Sequence, residues 1–65
     1  MRMVNERGQV VYFNTVEKRG KLRHIILAAS GQTITGRDGQ KLKSRTFTQY
    51  HQAERWLKRM GYKAG

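Results

Sequence analysis

Residues 48–61 constrain the fold more than any other segment, because their pattern is that of an amphipathic helix. Apolar side chains recur at the spacing i, i+3, i+4 and i+7 and form one stripe: Ala53, Trp56, Leu57 and Met60. Thr48 is predicted to cap the first turn with its hydroxyl, and Gly61 to end the helix in the left-handed conformation. An isolated helix of this length is marginal in water. The preceding residues must therefore supply a surface for the apolar stripe.

That surface is predicted to be an antiparallel sheet of three or four strands within residues 9–47, which makes the fold class α+β. Residues 9–16 and 22–29 are rich in β-branched and apolar types. The second of these runs lacks alternation, which favours a strand buried on both faces. Residues 32–35 and 40–47 are predicted to follow as shorter strands, with Asp38-Gly39 as a hairpin turn between them.

Two features of this sheet stay open at the level of sequence. Leu42 and Phe47 have opposite parity, so either a bulge intervenes or Phe47 belongs to the helix entry as a hydrophobic staple. Residues 1–8 show no period and are predicted to form a flexible basic arm. The whole chain, residues 1–65, is expected to be one small domain. Its predicted core is Val11, Phe13, Ile25, Leu27, Ile34, Phe47, Ala53, Trp56, Leu57 and Met60.

Charge is the strongest indication of function. Fourteen Lys and Arg stand against four Asp and Glu, which gives a formal net charge of +10 on 65 residues. Such an excess favours a polyanionic partner, either nucleic acid or an acidic protein surface. The short apolar stripe of the helix is needed for the core, so no membrane partner is expected. The N-terminal residues lack an apolar signal-type run, and a cytoplasmic location is expected.

No catalytic residues, metal site, cofactor or small-molecule substrate are predicted. The acidic residues are scattered, and the chain has no Cys and only two His, fewer than the ligands of most protein metal sites. An enzyme would require Glu17, His24 and Asp38 to come together in the fold. The protein is therefore expected not to be an enzyme.

The candidate binding residues lie on the strands and turns of the predicted sheet. If the strands are antiparallel neighbours, their cations converge on the sheet side away from the helix, with one tyrosine among them. A sheet can enter the major groove of DNA, where Arg reads guanine edges. The candidate nucleic-acid-binding residues are Tyr12, Arg19, Lys21, Arg23, Arg37, Lys41, Lys43 and Arg45.

Two families resemble parts of the chain. The run Arg45-Thr46-Phe47-Thr48, followed by Ala53, Trp56 and Leu57, resembles the Apetala-type plant DNA-binding domain and the arm-binding amino-terminal domains of phage and transposon integrases. That resemblance implies a sheet in the major groove with the helix behind it, although only Lys43 and Arg45 approximate the sheet cations of those families. Residues 27–34 are similar to the small YegP-like domains of unknown function, from which the insertion 36–45 departs.

These observations predict a non-catalytic protein that binds double-stranded DNA through a basic sheet face and its loops. A phage or mobile-element accessory factor is one such protein. Two alternatives stay open. One is a small inhibitor or adaptor that docks on an acidic partner protein, and the other is RNA or ribosome binding.

Overall fold

The computed structural model describes residues 1–36 and 38–65, which form one helix against a five-stranded antiparallel sheet. Along the chain the elements are β1 (Arg2–Val4), β2 (Val10–Lys18), β3 (Lys21–Ala28), β4 (Ile34–Thr35), β5 (Lys41–Leu42), β6 (Ser44–Phe47), α1 (Tyr50–Arg59) and β7 (Lys63–Ala64). The sheet order is β6-β3-β2-β1-β7, and β4 and β5 form a separate two-stranded ribbon. The predicted α+β class is confirmed, with five strands in the main sheet rather than three or four.

The hairpin of β2 and β3 is the longest pairing in the sheet. Its register runs from Val11 opposite Ala28 to Lys18 opposite Lys21, so its turn is only Arg19-Gly20. Both turn residues have positive φ, 54° and 76°, the combination that a type I′ turn requires to match the twist of the strands. Residues 14–22 at this end are all exposed. The hairpin therefore projects beyond the part of the sheet that the helix covers.

The core lies between α1 and one face of the sheet. Its buried apolar members are Val11, Phe13, Ile26, Ile34, Ala53, Trp56, Leu57 and Tyr62. The prediction that Ile25 and Leu27 belong to this core is wrong. Ile26 is fully buried, whereas Leu27 is 42% exposed, because Ile26 pairs with Phe13 and shares its face. The opposite face of β3 has no cover, so burial on both faces is also wrong.

The predicted strand 40–47 is interrupted at Lys43, because the segments before and after this residue pair with different strands. β5 pairs with β4, while β6 pairs with β3 in the register that puts Phe47 opposite His24. The carbonyl oxygen of Lys43 still accepts a 2.8 Å bond from the Ala28 N–H. Both Leu42 and Phe47 pack against the core. Phe47 therefore ends a strand and is not the staple residue of the helix.

The helix begins later than predicted and ends as predicted. Its N-cap is Gln49, without a side-chain cap bond, rather than Thr48. Phe47 is held in β6, so the chain needs two further residues to turn from the sheet into the helix. At the other end Gly61 has φ of 80°, and the Tyr62 N–H donates to the Leu57 carbonyl at 2.9 Å. Together with the bond from the Gly61 N–H to the Lys58 carbonyl at 3.1 Å, this is a Schellman motif.

The Schellman motif carries Tyr62 back onto the helix. Its ring stacks on Trp56 with centroids 5.7 Å apart and planes 14° from parallel, and this burial raises the pKa of the Tyr62 phenol above its usual value. The folded protein therefore retains this proton at a pH where the unfolded chain releases it, so stability falls as pH rises above about 10. We expect urea titrations between pH 9 and 11.5 to show this loss. The Tyr62→Phe variant should lose that part of the pH dependence, and an unchanged profile would contradict the assignment.

The first residues are part of the sheet and not a flexible arm. β1 pairs with β2, with Met3 opposite Val11, and on its other side with β7, with Val4 opposite Lys63. The terminal ammonium of Met1 donates to the Phe13 carbonyl at 2.7 Å. A strand of three residues is too short to show a period, and its second partner, β7, is distant in sequence. This pairing therefore could not be seen in residues 1–8 alone.

Candidate functional site

The sheet side away from α1, called here the open face, carries a cluster of positive charge. Side chains at paired positions of antiparallel strands lie on the same side, so the register assigns them. One row across the sheet is Arg2, Tyr12, Leu27 and Ser44, and the next is Asn14, Ile25 and Thr46. Towards the hairpin tip Val16 pairs with Arg23 and Lys18 with Lys21. The cations of the open face are Arg2, Lys18, Lys21, Arg23 and Lys63.

No acidic side chain among the described residues lies on the open face. Glu6 is in the turn between β1 and β2, and Asp38 is in the turn of the β4–β5 ribbon. Glu17 alternates onto the helix side of the hairpin, opposite Leu22. Glu54 lies on the helix, 3.8 Å from the Lys58 ammonium. The positive potential of the open face is therefore not neutralised by an acidic side chain on that face.

The centre of the open face is apolar. Tyr12 and Leu27 face each other across β2 and β3, and each is 42% exposed. Val16 is 41% exposed, and Ile25 is half-buried between these residues. These apolar groups lie between the cations of β1 and β7 on one side and those of the hairpin end on the other. Such a face suits a partner with both negative charge and flat or methylated apolar surfaces.

The predicted binding residues separate into distinct groups. Tyr12, Lys21 and Arg23 lie together on the open face, and Arg19 is at the tip of the same hairpin. Arg45 lies on the opposite face, because it pairs with the buried Ile26. Lys41 is on the β4–β5 ribbon, Lys43 is at the junction of β5 and β6, and Arg37 falls outside the described residues. The expected convergence of all these cations on one face is therefore wrong for Arg45 and Lys41.

Several open-face residues were missed in the sequence. Lys18 has the same parity as Tyr12, Asn14 and Val16. If the first predicted strand is extended to residue 18, strict alternation places Lys18 on the same face as Tyr12. Arg2 and Lys63 had no such signal, because each lies on a strand of only two or three residues. Leu27 was assigned to the core, and the correct parity of β3 places it outside.

His24 is buried against aromatic rings on the helix side of the sheet. Its Nδ1 is 3.0 Å from the Thr15 hydroxyl oxygen, and its ring meets Tyr50 edge-on with centroids 5.5 Å apart. Glu17 is exposed on the hairpin, and Asp38 is on the ribbon turn. Within the described residues no three His, Asp or Glu side chains form a group suited to a metal ion. The surroundings of His24 are those of a structural residue.

Comparison with known proteins adds no relative. Neither protein-family models, nor characterised proteins, nor solved structures give a match to this chain. In the part of the chain that the structure describes, no helix is both long and apolar enough to cross a membrane. The resemblances to Apetala-type, integrase arm-binding and YegP-like domains stay predictions, and function must be inferred from the open face.

Proposed function

We propose that this protein binds nucleic acid without catalysis, and that its preferred ligand is double-stranded DNA. The observation that carries the proposal is the open face, where Arg2 and Lys63 lie on one side of the exposed Tyr12 and three cations lie towards the hairpin tip, with no described acidic side chain among them. Neutralising phosphates with Lys and Arg releases condensed counterions, which supplies much of the affinity of proteins for nucleic acid. The formal net charge of +10 adds long-range attraction.

The shape of the hairpin favours a duplex. The major groove admits a two-stranded β-ribbon, and the exposed end of the β2–β3 hairpin is such a ribbon. At its tip Lys18, Arg19 and Lys21 are suited to phosphates on either side of a groove. Arg23 and Tyr12 lie further along the same ribbon, where side chains would meet base edges. The tip thus fixes position, and the middle of the face provides contacts to bases.

The helix has a supporting role in this arrangement. Ala53, Trp56 and Leu57 are buried against the other side of the sheet, so α1 cannot enter the same groove as the open face. A sheet that reads DNA with one helix behind it is also what the integrase-type resemblance implies. On this ground we further propose a phage or mobile-element accessory factor.

The proposal is tested by NMR titration of the isotope-labelled protein with a short duplex of random sequence, repeated with a structured RNA. We expect the largest shift changes on the open face, at Tyr12, Val16, Arg23 and Leu27 and in the hairpin turn. Affinity should fall linearly on a logarithmic salt scale, with a slope of about −0.9 for each phosphate contacted. Glu54 and Lys58, which form an exposed ion pair on α1 away from the sheet, serve as the internal control.

Each other outcome has a definite meaning. Shifts with RNA alone would replace the duplex by structured RNA as the ligand. The absence of shifts with both nucleic acids would overturn the proposal. It would then favour the second candidate, an acidic protein partner.

The second candidate is favoured by the apolar centre of the open face. Leu27 and Val16 expose aliphatic surface beside Tyr12, and exposed apolar groups inside a polar rim are common at protein interfaces. For a protein partner, Leu27→Ala should weaken binding more than Lys21→Gln. For DNA the order should be reversed, because phosphate contacts dominate the affinity.

A further inference from the structure

A second positively charged surface lies on the other side of the molecule, in a cleft between α1 and the β4–β5 ribbon. Its volume is about 620 Å³, which falls in the range of small-ligand sites. It is distinct from the open face, because Arg45 and Phe47 reach it from the helix side of β6. The residues that matter most here are Arg45, Phe47, Gln52, Arg55, Trp56 and Arg59.

Of the residues that the structure describes, three arginines and no carboxylate line this cleft. Among the described residues the single ion pair is that of Glu54 with Lys58, which leaves the three guanidinium groups without an acidic partner. Three like charges around one concave space repel each other, and an anion in the cleft would remove that repulsion. Arginine also presents a planar set of donors that matches phosphate oxygens.

The scaffold holds these groups on two elements. Arg55 and Arg59 are one turn apart on α1 and therefore point to the same side of the helix. Arg45 comes from β6, where its guanidinium carbon lies 4.8 Å from the centroid of the Phe47 ring. This cation–π contact restricts the Arg45 side chain. Donors from the sheet and from the helix thus face one space.

We propose that this cleft is a binding site for a phosphate group, held by Arg45, Arg55 and Arg59. The ligand is bound and not converted, since no described carboxylate or histidine lines the cleft to act as a general base beside the arginines. The concave shape fits a free phosphorylated molecule, and the same chemistry would accept a phosphate of a nucleic-acid strand. The site is independent of the open face, on which the proposed function rests.

Trp56 gives the site a natural reporter. It is the one tryptophan of the chain and lies in the wall of the cleft. Its indole N–H is buried without a hydrogen-bond partner among the described residues. The indole N–H is closed to solvent in this conformation, so it is not a proposed ligand contact. The proposed contacts are those of the arginines, and the indole serves as a spectroscopic probe. No tryptophan lies on the open face.

The test is a titration with inorganic pyrophosphate at constant ionic strength, followed by Trp56 fluorescence and by the indole N–H resonance. We expect a saturable change, and in Arg59→Gln an affinity at least about tenfold weaker, because a charge-assisted hydrogen bond is lost. Lys58→Gln is the matched control, since it removes one charge from the next position but outside the cleft. Its affinity should stay within about threefold of the parent protein.

Equal weakening in Arg59→Gln and Lys58→Gln, or a response that does not saturate, would overturn the site in favour of unspecific charge attraction. A parallel titration with duplex DNA identifies the source of the phosphate. If DNA changes Trp56 and pyrophosphate competes, the cleft takes a strand phosphate; if DNA shifts only the open face, the cleft takes a free ligand. Failure of pyrophosphate binding leaves the proposed DNA function standing, because that function is measured at Tyr12 and Arg23.

Discussion

Replacing Trp56 by alanine is expected to remove most of the stability of the protein. Trp56 is 5% exposed and joins the helix to the core, with Tyr62 stacked on its ring. Truncation of a buried Trp costs about 3–5 kcal/mol in lost burial and cavity formation. A domain of 65 residues has a total stability of roughly 3–10 kcal/mol. The variant should therefore unfold at a much lower urea concentration than the parent protein.

The measurement is urea unfolding followed by circular dichroism, because the variant has lost its only tryptophan. Trp56→Phe is the control, since it keeps an aromatic ring and also removes the unpartnered indole N–H, whose burial costs about 1–3 kcal/mol. The two effects of that change oppose each other, so its loss should stay below about 2 kcal/mol. A loss under about 1 kcal/mol in Trp56→Ala would show that the helix does not pack as described.

Neutralising the hairpin cations is expected to abolish most DNA affinity. The variant carries Lys18→Gln, Lys21→Gln and Arg23→Gln, which lowers the net charge from +10 to +7. If each contacts one phosphate, the salt slope becomes shallower by about 2.7, since each contact contributes about 0.9. At 0.1 M salt this corresponds to an affinity loss of about 10²–10³-fold. Fluorescence anisotropy with a labelled duplex at several salt concentrations measures both quantities.

The control variant has the same net charge and the same amino-acid composition as the hairpin variant, but its substitutions lie outside the open face. Arg7→Gln, Lys41→Gln and Lys58→Gln also remove one Arg and two Lys, at exposed positions outside the open face. This variant should lose less than about tenfold, through reduced long-range attraction alone. Equal losses in both variants would mean that affinity follows net charge, and the open face would no longer be the proposed interface.

The helix and the long hairpin were predictable because their signals are local. The apolar stripe and Gly61 indicate the helix through residues that lie within one or two turns of each other. Residues 9–16 indicate a strand by their composition alone. The burial of Tyr62 against the helix was also predictable in principle. A glycine that ends a helix in a Schellman motif brings the next residue against the last turns, so an aromatic after Gly61 indicates a core residue.

The faces of the strands were not predictable in the same way. The run from Ile25 to Ala29 has apolar residues at both parities, so its sequence does not say which side is covered. Register against Phe13 decides this, and register is a property of two strands. Because the sequence does not determine the parity of β3, Leu27 is predicted to lie in the core, although it belongs to the candidate interface. The position of Arg45 was undetermined for the same reason.

The candidate site was therefore predictable in kind and only partly in membership. The excess of cations and their location on a sheet follow from composition and strand pattern. Tyr12, Lys21 and Arg23 do share a face, since the long hairpin sets their register. Arg2 joins them through the pairing of β1 with β2, and β1 is too short to show a pattern. Lys63 joins through the pairing of β1 with β7, which are distant in sequence, so no local pattern reveals it.

The pairing of β1 with β7 also determines when this fold can be completed. β1 can pair with β2 locally, but its other edge pairs only with residues 63–64, which closes a loop of nearly sixty residues. Until β7 is in place the outer edge of β1 is unpaired, and such an edge is prone to join other chains. β7 thus protects β1, and a variant truncated before Lys63 should expose that edge to aggregation.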